Sequence, residues 1–481
     1  LKSPDLPAHT AALMKLPRYR YPLLFCLGLL AFLTTAQARP NIIAICTDDQ
    51  ARWGMSAYGN SEVQTPNMDR IAAEGALFLN AFCNTPVCSP SRATYLTGLY
   101  STQVGITDWI APNEAEAGVG LKDPTWPQAL QSAGYATALI GKWHLGELEE
   151  FHPTKLGFDH FMGFLSGGNR PMDPTLEVDG KNTKLEGSLP DILTSDAIRW
   201  IDEQDKPFAL CLHYRAPHGP YLPVPAEDSA PYKDLDPKFI PELKGLDMDA
   251  IKQMHRDYYS SISSIDRNIG RLLDALSPEL EKNTVILFTS DHGYNLGRHY
   301  ISTKGNGVWM GGGRLPGAPN RPNLWDHSLR VPMAVRWPGV VEPGREIEQM
   351  VSFVDLYRTM LSIAEVEIPK TATPMGADFS PLLRGESEPD PKTIFAQYDL
   401  HNSGLDYLRM VRTHRYKYVK HFHSNGTDEF YDLESDPEEM KNILRRNKMP
   451  ENGPVEAFEM LKKEMNRHMQ AIDDPLLKDL Y

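Results

Sequence analysis

The sequence is poor in cysteine, with 5 in 481 residues. Past residue 38 only Cys46, Cys83, Cys88 and Cys211 remain, with no CxxC pair and no regular spacing. That excludes a disulfide framework and a zinc ribbon. Beyond residue 38 no apolar run is long enough to cross a bilayer, and there is no internal repeat or low-complexity tract. Positive charge is also scarce: 49 Lys and Arg against 63 Asp and Glu leave a formal net charge of -14. A field of that sign argues against nucleic acid as a partner, so an anionic substrate would have to be held by a local cluster of cations.

What is present suits a large globular protein. With 41% hydrophobic residues and 8 Trp, the chain can fill a substantial core, as one large domain plus a smaller one. From Met14, a basic stretch (Lys15, Arg18, Arg20) leads into the apolar run "YPLLFCLGLLAFL" and then "TTAQARP". There Ala36 and Ala38 give the small-x-small pattern of a signal-peptidase site. A leader over residues 1–38 and export through a cleaved signal peptide, to the periplasm or the outside, are therefore expected. The residue before Cys26 is Phe25, not the small residue of a lipobox, so no stable membrane anchor is expected. The mature chain would lose four positive charges and one negative, moving its net charge from -14 to -17.

Short β-rich runs alternate with helical patterns, which predicts an α/β fold with a large mixed sheet flanked by helices on both faces. Residues 41–46, 136–141, 208–214 and 284–290 are the predicted buried strands, and they end in "TDDQ", "KWH", "RAPH" and "DHG". Ligands collect at the carboxyl ends of such strands. Tyr258, Ile262, Ile265, Ile269, Leu272 and Leu276 recur at helical steps and predict a long amphipathic helix over 251–277. A Pro- and Gly-marked stretch at 374–392 suggests a boundary between a catalytic domain, 39–385, and a small C-terminal α+β subdomain, 386–481. In the subdomain "TIFAQYD", "LRMVRTHRYKYVKH" and "DEFYDLE" predict a smaller antiparallel sheet, closed by a helix over about 454–471.

Asp48 and Asp49 are adjacent carboxylates directly after a buried strand. Alone, such a pair answers to a turn or helix cap as well as to a hard cation. Asp291 and His292 follow another strand, where the alternatives are a β-turn or the other half of the same ion site. Lys142 and His144 alternate around Trp143, so in extended chain they point to one side. His218 sits in the proline-bracketed "APHGP". Singly, each histidine answers to a structural role. Together these groups could surround an anionic ester and protonate its leaving group.

The stretch "CSPSRATYLTG", Cys88 to Gly98, resembles the type I sulfatase signature, built on a Cys-x-Pro-x-Arg core. "PNIIAICTDDQ", "GKWHLG", "KLGFDHFMGF", "YRAPHGPYLP", "FTSDHGYNLGRH", "HSLRVPMAVRWPG" and "FYDLESDPEEMKN" extend the resemblance in order over nearly the whole chain after residue 38. The chain is thus similar to the formylglycine-dependent sulfatases of the alkaline phosphatase superfamily. The resemblance implies that a formylglycine-generating enzyme oxidises Cys88, reading it with Pro90 and Arg92. A hydrated aldehyde offers two hydroxyls on one carbon: one attacks sulfur, and deprotonation of the other expels sulfate. It further implies that Asp48, Asp49, Asp291 and His292 hold one calcium ion together with modified Cys88, although many members have Asn where this chain has His292. Arg92 would stabilise the diol, Lys142 and His144 would bind sulfate and assist elimination, and His218 would protonate the leaving oxygen.

One departure concerns a family lysine between the "LGxH" segment and an aromatic-acidic pair. Here that region is expanded as "ISTKGNGVWMGGGRLPGAPNRPNLWDHS". Counting forward reaches Lys304, counting back reaches Arg321, and only a lysine readily gives up a proton. Lys304 is expected to serve the chemistry and Arg321 to contact substrate, with the Gly-rich 305–320 insertion either functional or a surface loop. The expected substrate is a sulfated glycan or another sulfate ester. A phosphonate or phosphate ester hydrolase of the same superfamily is the alternative, and a non-catalytic binding protein would have no use for this full set. Trp309, Arg314, His401 and the "RTHRYKY" segment are candidate rim contacts or ordinary surface residues, and Asn425 begins a glycosylation sequon.

Overall fold

The structure, a computed structural model, describes residues 39–310, 320–386, 393–423 and 426–479. The expected leader, Arg314, most of the Gly-rich insertion and Asn425 lie outside the described residues. Ala38–Tyr481 forms one compact unit.

Ten strands build the large sheet: β1 (Asn41–Asp48), β2 (Ala76–Phe82), β3 (Ala136–Lys142), β4 (His160–Phe164), β5 (Thr175–Val178), β6 (Lys181–Lys184), β7 (Phe208–Pro217), β8 (Thr284–Ser290), β9 (Met333–Arg336) and β10 (Arg345–Ser352). Their order is β10-β2-β9-β8-β1-β7-β3-β4-β5-β6. The centre, β8-β1-β7-β3-β4, is parallel, while β9 runs antiparallel between β8 and β2. This is the expected mixed sheet, and the four predicted strands are four of its five central members.

Their continuous apolar runs follow from burial on both faces. Along β1, Ile42 and Ala44 enter one core while Ile43 and Ile45 enter the other, and Val285, Leu287 against Ile286, Phe288 repeat the alternation on β8. The second core is covered by the helix Met248–Ala275, whose Ile251, Tyr258, Ile262, Ile265, Ile269 and Leu272 face inward. It starts before the predicted 251, because the Asp247 side chain caps the backbone N–H groups of Asp249 and Ala250.

Parallel register aligns the strand ends. Thr47 pairs with Ser290, Asp48 with Pro217 and Gly141 with His213, so the polar tails of β1, β7, β3 and β8 emerge on one edge. Gly141 is required there: its φ is +116°, and a Cβ would lie 1.9 Å from the His213 carbonyl oxygen.

The smaller sheet is an antiparallel meander of β11 (Ile394–Leu400), β12 (Asp406–Arg412), β13 (Tyr416–His421) and β14 (Glu429–Asp432). Ile394, Ala396, Tyr398 and Leu400 pack into the first core of the large sheet. Phe395, Val411, Tyr418 and Phe430 pack against Phe458, Leu461 and Met465 of the closing helix Val455–Ala471. "LRMVRTHRYKYVKH" divides into β12 and β13 at a turn closed by the Thr413 N–H donating to the Tyr416 carbonyl at 2.8 Å.

One contact ties the long helix to the sheet edge. The buried Tyr258 hydroxyl accepts from the Ala51 N–H at 2.8 Å and donates to the Asp49 carbonyl at 2.7 Å. Asp49 itself sits at φ 63°, a left-handed conformation that this clamp helps to hold. Tyr258→Phe should leave the donor and the acceptor unpaired and lower stability by about 2 kcal/mol in reversible chemical unfolding. A change below about 0.5 kcal/mol would show that the clamp is not needed.

Candidate active site

Cys88 is the first residue of the helix Cys88–Thr97, every residue of which is buried. Pro90 is tolerated because it lies in the first turn, where backbone N–H groups have no partner within the helix. The helix stops at Gly98, at φ 66°. Its polar residues brace their surroundings. The Ser89 hydroxyl accepts from the Ile110 N–H at 3.0 Å, and the Ser91 hydroxyl donates to the Asp291 carbonyl. Arg92 Nε donates to Asp291 Oδ2 at 3.0 Å, and another of its nitrogens lies 3.8 Å from Asp48 Oδ2. Burial pushes this guanidinium down, but Asp291 and Asp48 hold it above the usual arginine range.

Around Cys88 Sγ stand Lys304 Nζ at 3.1 Å, Asp48 Oδ1 at 3.5 Å and His292 Nε2 at 3.5 Å. Lys142 Nζ donates to Asp48 Oδ2 at 2.6 Å, and Lys304 Nζ to Asp49 Oδ1 at 2.5 Å. Burial and the Asp48 carboxylate push the Cys88 thiol up, yet the Lys142 and Lys304 ammoniums and the His292 ring overcome them and hold it at about 6. Asp48 resists burial in the same way: Lys142, His218 and Arg92 keep it well below the usual carboxylate range. Asp291 goes the other way, raised to about 6 by burial and by the Asp48 charge against His292 and Arg92.

The two histidines beside Lys142 and Asp291 are in opposite states. Burial and the Lys142 charge hold His144 well below the usual range, so its ring is neutral. Its Nε2 donates to the Ile110 carbonyl at 3.1 Å, leaving a buried Nδ1 with no partner. His292 is pushed down by burial but raised by Asp291 to about 9. Its Nδ1 donates to the Gly293 carbonyl at 2.9 Å, which turns Nε2 toward Cys88, Asp49 and Asp291. That is the second hydrogen bond expected of a metal-binding histidine.

Donor atoms of Asp48, Cys88, Asp291 and His292 all lie within 4.8 Å of one another, and a second such set is Asp48, Asp49, Cys88 and His218. Three carboxylates this close and this buried fit a hard divalent cation, whose charge relieves their repulsion. His292 fits as a ligand once its Nε2 proton has left.

These groups open onto a cavity of about 420 Å³ with Cys88, His144, His218 and Lys304 on its wall. The His218 Nδ1 donates to the Gly219 carbonyl at 2.8 Å, and its Nε2 lies 3.9 Å from Asp49 Oδ2. Lys142 and Trp143 diverge as the alternation predicts: Lys142 turns to Asp48, and Trp143 enters the first core. His144, at φ 60°, is beyond the strand end. Arg321 is not on the cavity wall; its guanidinium lies 4.6 Å from the Trp325 ring centre. Trp309 is buried beside Tyr431, and His401 bonds Glu114 at 2.8 Å. In "RTHRYKY", Arg412 and Lys417 both turn inward to Asp326. Trp109, Ile110 and Glu147 do line the cavity, although no motif or periodicity in the sequence points to them.

A family model described as sulfatase matches residues 40–366, and one described as N-sulphoglucosamine sulphohydrolase, C-terminal, matches 320–471. The chain is 29% identical to an N-acetylglucosamine-6-O-sulfatase of Bacteroides thetaiotaomicron, over 84% of this chain and 83% of that one. It is 31% identical to the N-acetylgalactosamine-6-sulfatase of Rattus norvegicus, over 75% of this chain and 68% of that one. A solved structure described as in complex with its substrate D-glucosamine-2-N,6-O-disulfate superposes with a TM-score of 0.74 at 28% identity, covering 91% of this chain and 99% of the other. The chain belongs to the sulfatase family of the alkaline phosphatase superfamily and is a sulfuric ester hydrolase.

Proposed function

We propose that this sulfatase is exported and removes sulfate from a carbohydrate, using formylglycine made from Cys88 and a calcium ion. The observation that carries the reading is the seating of Cys88 Sγ on the cavity wall within 3.5 Å of Asp48, His292 and Lys304. The leader pattern supports export. The similarity to enzymes named for N-acetylhexosamine 6-sulfates supports a sugar substrate. So does Trp109, which offers the cavity an aromatic side chain suited to the apolar face of a pyranose.

Asp48, Asp49, Asp291 and His292 would hold the calcium, which would supply positive charge to offset that of the sulfate beside these carboxylates. The remaining steps belong to the chain. One hydroxyl of the hydrated aldehyde at position 88 passes its proton to the neighbouring Asp291 carboxylate as it attacks sulfur, the bond from sulfur to the sugar oxygen breaks, and protonated His218 gives its proton to that oxygen. The second hydroxyl then gives up its proton toward the unpartnered His144 Nδ1. The carbon–oxygen bond to sulfate breaks, the aldehyde is restored, and water hydrates it again. Arg92 orients the diol, while Lys142 and Lys304 hold the sulfate oxygens. We assign Lys304, not Arg321, as the second sulfate-contacting cation.

Hydrolysis of 6-sulfated N-acetylhexosamines should exceed that of matched phosphate esters by at least about 10²-fold in kcat/KM. A preference for phosphate would overturn the assignment. His218→Ala should lower kcat on a sugar sulfate by about 10² or more, and far less on nitrophenyl sulfate, whose leaving group needs no proton. Equal losses on the two substrates would remove His218 from the role of acid.

A further inference from the structure

A second cavity, of about 280 Å³, is separately walled from the first and carries three arginines, Arg52, Arg298 and Arg330. Arg52 and Arg298 follow the two strand-end motifs closely, three residues after Asp49 and six after His292. Both guanidiniums rest on aromatic rings. Arg52 lies 4.2 Å from the Tyr58 ring centre, and Arg298 lies 4.3 Å from Trp53 and 5.6 Å from Phe239. Those contacts support the flat faces of the guanidiniums and leave the N–H edges to be satisfied in the ring plane.

Protein satisfies these edges only in part: Arg330 donates a terminal nitrogen to the Leu79 carbonyl at 2.6 Å and to Asn80 Oδ1 at 3.0 Å. Arg52 Nε, Arg330 Nε and one terminal nitrogen of Arg298 are buried without a hydrogen-bond partner, as is the Trp53 indole N–H. Among the described residues neither Arg52 nor Arg298, both half-buried, has a carboxylate within ion-pair distance; the buried Arg215 also lacks one, but its terminal nitrogens donate to the Gly219 and Pro220 carbonyls. Arg92, Arg336, Arg409 and Arg412 each have a carboxylate within 3.0 Å. The two acids on the cavity wall are largely engaged by other groups: Asp326 pairs with Arg412 and Lys417 and lies 3.9 Å from Arg330, and Glu438 bonds His327 Nε2, also on the wall, at 2.8 Å. Burial, and then the charges of Arg52 and Arg412, push the Arg330 guanidinium down to about 10 despite Asp326. Like charges are thus gathered in a half-buried space with donors to spare, an arrangement that an anion would stabilise.

We propose that this cavity is a second anion site that takes a tetrahedral oxyanion, sulfate or the sulfate half-ester of a sugar, between the Arg52 and Arg298 guanidiniums. A tetrahedral group offers three or four oxygens in different directions, so it can accept from both arginines at once, where the two oxygens of a carboxylate lie in one plane. As free sulfate the occupant would be product held apart from the Cys88 cavity. As a half-ester it would be a second sulfated unit of the substrate.

The test is anomalous diffraction from crystals of the intact protein soaked in sodium selenate. A selenium peak within hydrogen-bond reach of Arg52 and Arg298 is expected. It should be lost in Arg298→Met and weakened in Arg298→Lys, a variant that keeps the charge and stem if the methionine protein fails to fold. An empty second cavity at selenate concentrations that fill the Cys88 cavity would overturn the proposal, as would a peak that survives unchanged in both variants. A parallel soak with sulfated glucosamine separates the sources. Sugar density at the cavity mouth assigns the site to glycan-borne sulfate, and its absence beside a selenate peak assigns it to the free anion.

Discussion

Three carboxylates held together away from water are the constraint around which the rest of the molecule is arranged. At an effective dielectric near 20, two like charges about 4 Å apart repel by roughly 4 kcal/mol. Asp48, Asp49 and Asp291 therefore persist only because each has a cation on it: Lys142, Lys304 and Arg92 respectively. The sheet makes this possible. Parallel register of β1 with β7 and β8 delivers the acids to one edge, and β3, pressed against β7 at Gly141, brings Lys142 alongside. Cations that neutralise buried carboxylates are also the groups that a sulfate oxygen needs. A metal ion on the carboxylates would free the lysines for substrate.

The helix Cys88–Thr97 links Cys88 to that cluster. Its N-terminus sets Cys88 among the donors, while Arg92, one turn on, grips Asp291 and approaches Asp48. Ser91 holds the Asp291 backbone, and Ser89 holds Ile110, whose carbonyl accepts a hydrogen bond from His144 Nε2. Each polar position of "CSPSR" therefore fixes the position of a group with which Cys88 would react or bind. At the far end of the cluster, Tyr258 does the same for Asp49 from the long helix.

Much of this was legible before the fold was known, because it rests on local chemistry. Strands buried on both faces declare themselves as unbroken apolar runs, and their polar tails mark the edge where Asp48, Asp49, Lys142 and Asp291 meet. The long helix showed in its spacing. What stayed hidden depends on contacts between distant segments. Nothing in "TDWIAP" indicates that Trp109 faces a cavity, and Arg52 and Arg298 look like ordinary surface charges until β1 and β8 bring them together. Trp309 shows the reverse: an apparently free aromatic in a Gly-rich stretch, it is buried beside Tyr431. In "RTHRYKY" a distant aspartate, Asp326, likewise turns Arg412 and Lys417 inward.

The central claim is that this buried constellation serves an aldehyde and not the encoded thiol. Mass spectrometry of the peptide containing Cys88, cut from active enzyme made beside a formylglycine-generating enzyme, tests it directly. The account predicts that the CH₂SH of Cys88 is replaced by CHO, in a fraction that tracks specific activity. Full activity from protein whose Cys88 is wholly unmodified would contradict it.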